Sequence, residues 1–228
     1  MEGPPQYTIA GKTLKDRMEE PQQLAWYAVK VFFNKVFEME DYLLSLGCVP
    51  YVPVQAIRLM GAAHLAAARS LASLAPADSR KRRYIQEGPV IYVRKPLVAS
   101  LVFVQATSAQ MGRIDVALHG QGDPTPCRGF VYRRPEGKKE YEAIPERQMA
   151  AFRLVADSGV SGLEFFSSED LTSYRQGDKV RVMEGPLKGA EGYIRRIRRD
   201  RRLLVSIQGI VAVATSYIPP EFLQKIEQ

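Results

Sequence analysis

The residues best suited to chemistry in this 228-residue chain lie in EGPLKGAEGYIRRIRRDRR, Glu184 to Arg202. Three glycines and a proline fall within nine residues, and six arginines follow. Glycines beside a lysine are the raw material of a phosphate cradle, in which Gly-x4-Gly-Lys-Ser/Thr joins a strand to a helix. Here Lys188 precedes its glycine and strand-forming residues follow, so the spacing argues against a P-loop and against a dinucleotide fingerprint. A connection between antiparallel strands fits better. Pro186 fixes φ at a turn position, and Gly185, Gly189 and Gly192 supply positive φ or close backbone approach. That reading places Leu187 and Lys188 at the tip as an exposed apolar-basic pair.

Other catalytic material is scarce. Cys48 and Cys127 are the only cysteines and His64 and His119 the only histidines, none at zinc-ligand spacing. No Ser/Cys–His set, paired acids or nucleotide loop is recognisable. The expectation is a protein that is not an enzyme, with no catalytic residue, no cofactor and no metal. Charge points instead to a partner. The net charge is +7, and residues 171–228 hold 11 Lys and Arg against 6 Asp and Glu, a balance of +5. A basic C-terminal quarter suits an acidic partner, nucleic acid foremost. Candidate phosphate contacts are Arg195, Arg196, Arg198 and Arg199, and the run SRKRRY with Arg80, Lys81, Arg82 and Arg83. Both runs equally suit a solvated face. Ile194 and Ile197 break strict alternation, so a bulge or turn is expected between them.

The elements that must position these groups follow from periodicity. LAWYAVKVFF (Leu24–Phe33) reads as a strand, with Trp26 in the core. NKVFEMEDYLLSLG reads as a helix ended by Gly47, and CVPYVPV as a short edge strand. Ile57, Met60, Gly61, His64, Leu65, Ala68 and Leu71 form a helical stripe in an Ala-rich stretch over about 56–75. VIYVRK and LVASLVFVQAT follow as strands, SAQMGRIDVAL as a short helix, RGFVYRR as a strand and PERQMAAFRLVADS as a helix. Helices interrupting strands irregularly predict an α+β class with a mostly antiparallel sheet flanked by helices. After a linker over 157–173, the pattern from 174 onward is β only, four short strands that suit a small SH3-like barrel. Residues 1–22 read as a flexible tail, and 23–156 as the first domain. No leader or membrane-spanning run is evident, which predicts a soluble, cytoplasmic, monomeric protein without membrane contact.

The spacing Val182-x-x-Gly185-x-x-Lys188-Gly189-x-x-Gly192-x-Ile194 is that of the KOW motif. Together with WYAVKV, PLVASLVFV and RPEGKKEYEAIPERQMAAF in that order, it resembles the NusG family, an NGN domain joined to a KOW barrel, over residues 24–228. FVQAT, RPEGKK before IPERQM, and GIVAVATSYIPPEFLQKIE are most similar to the UpxY-type antiterminators of capsular polysaccharide operons. Two features depart from the family: the Ala-rich insertion, and Leu101 where a tyrosine is usual.

The resemblance implies a transcription elongation factor. It would bind the clamp helices of RNA polymerase's largest subunit through Phe32, Phe33, Asn34, Lys35, Leu101 and Phe103. It further implies contact with DNA or nascent RNA, and with Rho or a ribosomal protein through Leu187 and Lys188. The alternative is an RNA-binding, ribosome-associated KOW protein.

Overall fold

A computed structural model describes residues 23–74, 78–122, 124–125, 127–134, 140–167, 177–197 and 200–226. The tail expected over 1–22 therefore lies outside the described residues.

Three antiparallel sheets organise the described residues, giving the α+β class that the alternation of elements predicts. The first has the order β2 (Val49–Tyr51), β6 (Leu101–Ala106), β1 (Ala25–Val31), β7 (Gly129–Val131). Its central strands are apolar on both faces because both are covered. Tyr27, Val29, Val31, Val102 and Val104 face α1 (Val36–Ser45) and α3 (Ser108–Leu118), packing on Met39, Leu43, Met111 and Ile114. Trp26, Ala28, Leu101 and Phe103 face the other way, onto Met149, Phe152 and Val155 of α4 (Glu146–Ala156). Each side chain of this size, taken fully from water, contributes about 1.5–3 kcal/mol. The start of α3 is fixed by a capping box, with Gln110 N–H donating to Thr107 Oγ1 and Thr107 N–H to Gln110 Oε1. At the sheet's edge Gly129 allows a close approach that no other residue could: an added Cβ would lie 1.9 Å from the Lys30 carbonyl oxygen.

The second sheet, β3 (Val54–Arg58), β5 (Val90–Pro96), β4 (Tyr84–Glu87), carries α2 (Gly61–Ser73). The Ala-rich stretch thus begins as strand and turns helical only at Gly61. Its expected apolar stripe is not buried. Ala67 is the one buried residue of α2, while Met60 is 74% and Leu65 57% exposed. Alanine's high helix propensity holds this helix without a core face.

The third sheet has six strands in the order β13 (Leu223–Lys225), β9 (Lys179–Val182), β10 (Glu191–Ile197), β11 (Asp200–Ile207), β12 (Val211–Tyr217), β8 (Glu164–Ser167). Two expectations are corrected here. The stretch 157–173, read as a linker, contributes β8, which pairs Phe165 with Val213 at the sheet's edge. No bulge separates Ile194 from Ile197, because the β10–β11 ladder runs unbroken from Tyr193↔Leu204 to Ile197↔Asp200. The strand is apolar on both faces instead: Ile194 packs on the large core, and Ile197 on a separate cluster with Leu204, Ala212 and Ala214. The irregularity falls between β11 and β12, at Arg202/Leu204.

The third sheet docks on α4. Phe152 has its ring 5.4 Å from Phe103 and 6.2 Å from Phe165, and Val205, Val211 and Val213 join the same core as Trp26 and Met149. Arg147 is ion-paired with Glu191, which Arg181 also holds at 2.9 Å, and the Gln208 N–H donates to Gln148 Oε1 at 3.1 Å. No helix among the described residues is long and apolar enough to cross a membrane.

Candidate functional site

Among the described residues, the end of β1 builds the most exposed aromatic surface. Phe32 N–H donates to the Arg128 carbonyl at 2.9 Å, which carries the pairing with β7 one residue past the strand. That register brings Phe32 beside Phe130, ring centroids 6.2 Å apart, with Phe33 6.5 Å beyond Phe32 and Tyr132 5.4 Å beyond Phe130. Phe33 is 82% exposed, while Phe32 and Phe130 are about two-fifths exposed. Phe33 and Asn34 both adopt left-handed backbone, φ 60° and 56°. For a bulky aromatic this conformation is strained, and it turns the ring outward at the head of α1. Lys35 is exposed next to it and Lys30 lies opposite Phe130, so cationic groups rim the rings. Beneath, Cys127 Sγ–H donates to the Lys35 carbonyl at 3.5 Å, and burial, with Glu38 nearby, pushes this thiol up to about 11. It is a packing group, not a nucleophile.

Four of the six residues assigned to polymerase contact by resemblance, Phe32, Phe33, Asn34 and Lys35, are thus on one surface. Leu101 and Phe103 are not. They are 2% and 0% exposed, on the sheet face under α4 and the third sheet. Phe130 and Tyr132 are the residues that sequence reasoning missed. Their i, i+2 spacing on a short strand was the available signal, but only the β1–β7 register joins them to Phe32.

Leu187 also departs from expectation. Gly185 and Gly189 take φ 83° and 89°, and the loop closes with Lys188 N–H donating to the Gly185 carbonyl and Gly189 N–H to that of Val182. This folds Leu187 inward to 5% exposure, in the core with Val180 and Val182. Lys188, the other half of that pair, stays exposed at the tip.

The arginine run 80–83 finds acids of its own chain. It forms a 3₁₀ helix, Ser79–Arg83, capped by Asp78, whose carboxyl Arg80 lowers to about 2 through side-chain and backbone hydrogen bonds. Arg82 pairs with Asp41, and Arg83 with Glu38 at 2.7 Å. Arg94 holds Glu40 bidentately at 2.9 and 3.0 Å while stacking over Phe37 at 5.0 Å. These pairs fasten the second sheet to α1.

On the β10–β11 hairpin, Arg195 stands opposite Arg202 and Arg196 opposite Arg201. Arg202 is held by Glu164 at 2.7 Å, and Arg196 and Arg201 are exposed. Arg198 and Arg199 lie outside the described residues. No group of three or more metal-ligating side chains occurs among the described residues.

No family model matches the chain, and no curated protein matches it. Among solved structures it is similar to NusG of Thermotoga maritima, in a structure concerned with domain interaction. The identity is 16% and the TM-score 0.41, over 90% of this chain and 98% of that one.

Proposed function

We propose that this chain is a NusG-like transcription elongation factor that holds RNA polymerase through the aromatic surface at the end of β1. The observation that carries the reading is Phe33, 82% exposed and kept at φ 60°. A bulky ring in a strained, solvent-facing position does nothing for the fold, which suits a contact residue. The row Phe33–Phe32–Phe130, rimmed by Lys30 and Lys35, matches what an apolar helix pair with acidic flanks needs. The clamp helices of the largest subunit are the partner implied by the order of sequence motifs. Leu101 and Phe103 act in this reading as the core that stiffens the surface from below.

The finer reading is a specialised antiterminator of a long operon, of the capsular polysaccharide kind. It rests on the FVQAT, RPEGKK and C-terminal resemblances. The mechanism is differential binding: a factor that binds the paused and the elongating polymerase unequally shifts their populations without covalent chemistry. Lys188 at the β9–β10 tip is then the residue offered to Rho or a ribosomal protein. The test is capture of purified RNA polymerase by the wild-type chain and by Phe32→Glu and Phe33→Glu. Retention by the wild type and loss by both variants supports the reading; equal retention by all three refutes it.

A further inference from the structure

Helix α2 is apolar on two sides. Toward β5 it turns His64, Ala67, Ala68 and Leu71; Ala67 is buried, the others are half-buried, and the His64 ring bonds the Pro89 carbonyl at 2.9 Å. On the opposite side Ala62, Leu65, Ala66, Arg69 and Ser73 recur at helical spacing and are all exposed, with Met60 exposed just before them. A helix apolar on both sides belongs in an interior. Thirteen residues with one buried side chain are, besides, a marginal helix in water. The Ala-rich stretch departs from the family resemblance, so that resemblance implies no partner for this side.

Two features say what chemistry would cover it. The helix starts without a side-chain cap and without an acid in its first turn, so the positive end of its dipole lies open at the exposed residues 61–63. Two turns on, about 12 Å along the axis, Arg69 is exposed in mid-stripe and forms no ion pair among the described residues. The helix contains no acid, and the stretch 54–96 around it holds eight Lys and Arg against two Asp and Glu.

We infer that this side of α2 docks an acidic, amphipathic helix of a partner protein. The partner's apolar stripe lies on Ala62, Leu65 and Ala66, and two of its carboxylates, two turns apart, meet the α2 N-terminus and Arg69. Alanine favours a helix over a lipid surface: it offers little apolar area but lets two axes approach to about 8 Å, the close end of helix packing. A second copy does not fit, because it brings the same positive stretch and no carboxylate for either Arg69. The α2 side is separate from the polymerase surface, which lies at the end of β1.

The probe is a synthetic helical peptide of about twenty residues, with an Ala/Leu face and two Glu placed two turns apart, and versions carrying Gln or Lys instead. Fluorescence anisotropy of the labelled peptides with the full chain measures binding. The Glu peptide is expected to bind, the Gln version about three- to tenfold more weakly, and the Lys version less than either. Leu65→Glu should weaken the Glu peptide at least about tenfold. Arg69→Glu should weaken the Glu peptide and strengthen the Lys version. Ala66→Leu adds apolar area yet holds the axes apart, so it should weaken binding at least about fivefold. These side chains are exposed, and thermal unfolding should show every variant folded. Leu44→Glu on α1 and Phe33→Glu on the polymerase surface should leave peptide binding unchanged, so this reading and the one above fail separately. Failure of the Glu peptide to bind overturns the inference. So does equal binding of the Lys version, equal weakening by Leu44→Glu or Phe33→Glu, or stronger binding by Ala66→Leu. Dimerisation of the chain that Leu65→Glu abolishes would give this side to a second copy. Retention on phosphatidylglycerol vesicles that Leu65→Glu abolishes would give it to lipid. Either result overturns the inference as well.

Discussion

Replacing Phe33 by glycine separates a contact residue from a structural one. Left-handed backbone at a non-glycine residue costs about 1–2 kcal/mol, which glycine relieves. Glycine's extra freedom in the unfolded chain takes back about 0.5–1 kcal/mol. Loss of the edge contact with Phe32, centroids 6.5 Å apart, costs about 0.5 kcal/mol at so exposed a site. At 82% exposure there is little apolar burial to lose. The balance lies between about 0.5 kcal/mol against the variant and about 1 kcal/mol in its favour, a shift in Tm of no more than about 2–4 °C for a chain of this size. Polymerase capture, by contrast, should fall at least about tenfold, as for loss of a hot-spot aromatic. Urea unfolding and polymerase capture are the two assays. Destabilisation by more than about 2 kcal/mol would refute the reasoning, because that size belongs to a buried structural residue. So would full stability with undiminished capture.

Phe152→Ala should destabilise the chain by about 3–5 kcal/mol, because that ring joins Phe103 of the first sheet to Phe165 of β8; denaturant unfolding measures it. Gly129→Ala should disrupt the β1–β7 pairing, since its Cβ would collide with the Lys30 carbonyl oxygen; faster amide exchange at Phe32, whose N–H donates to the Arg128 carbonyl, reports it. Glu191 is held below its ordinary value of 4.5 by hydrogen bonds from Arg147 and Arg181. Its contribution to stability is therefore present above that value and lost as pH falls through the depressed one, and Glu191→Gln should flatten this acid limb of the stability profile. Arg94→Met should cost about 2 kcal/mol or more by leaving the buried Glu40 without its bidentate partner, again read by unfolding.

What the sequence determined by itself is local. Alternating valines set β1 and β6, the Leu43 and Met39 spacing set α1, and the glycines at 185 and 189 set a tight turn, because backbone preference and face periodicity act over a few residues. The α+β class follows from the order of such elements. Tertiary structure decided what each element touches. Leu187 sits in the turn that its glycines predict, yet the loop closes inward and buries it. Arg82 and Arg83 read as a basic run until Asp41 and Glu38 of α1 meet them across some forty positions of chain. Phe130 is an unremarked strand residue until antiparallel register sets it beside Phe32. The third sheet meets α4 through residues far apart in the chain, and no local pattern carries their docking. Hydrogen-bond period and steric freedom are written along the chain, whereas burial, ion pairing and docking are properties of pairs of distant segments, fixed only once the cores close.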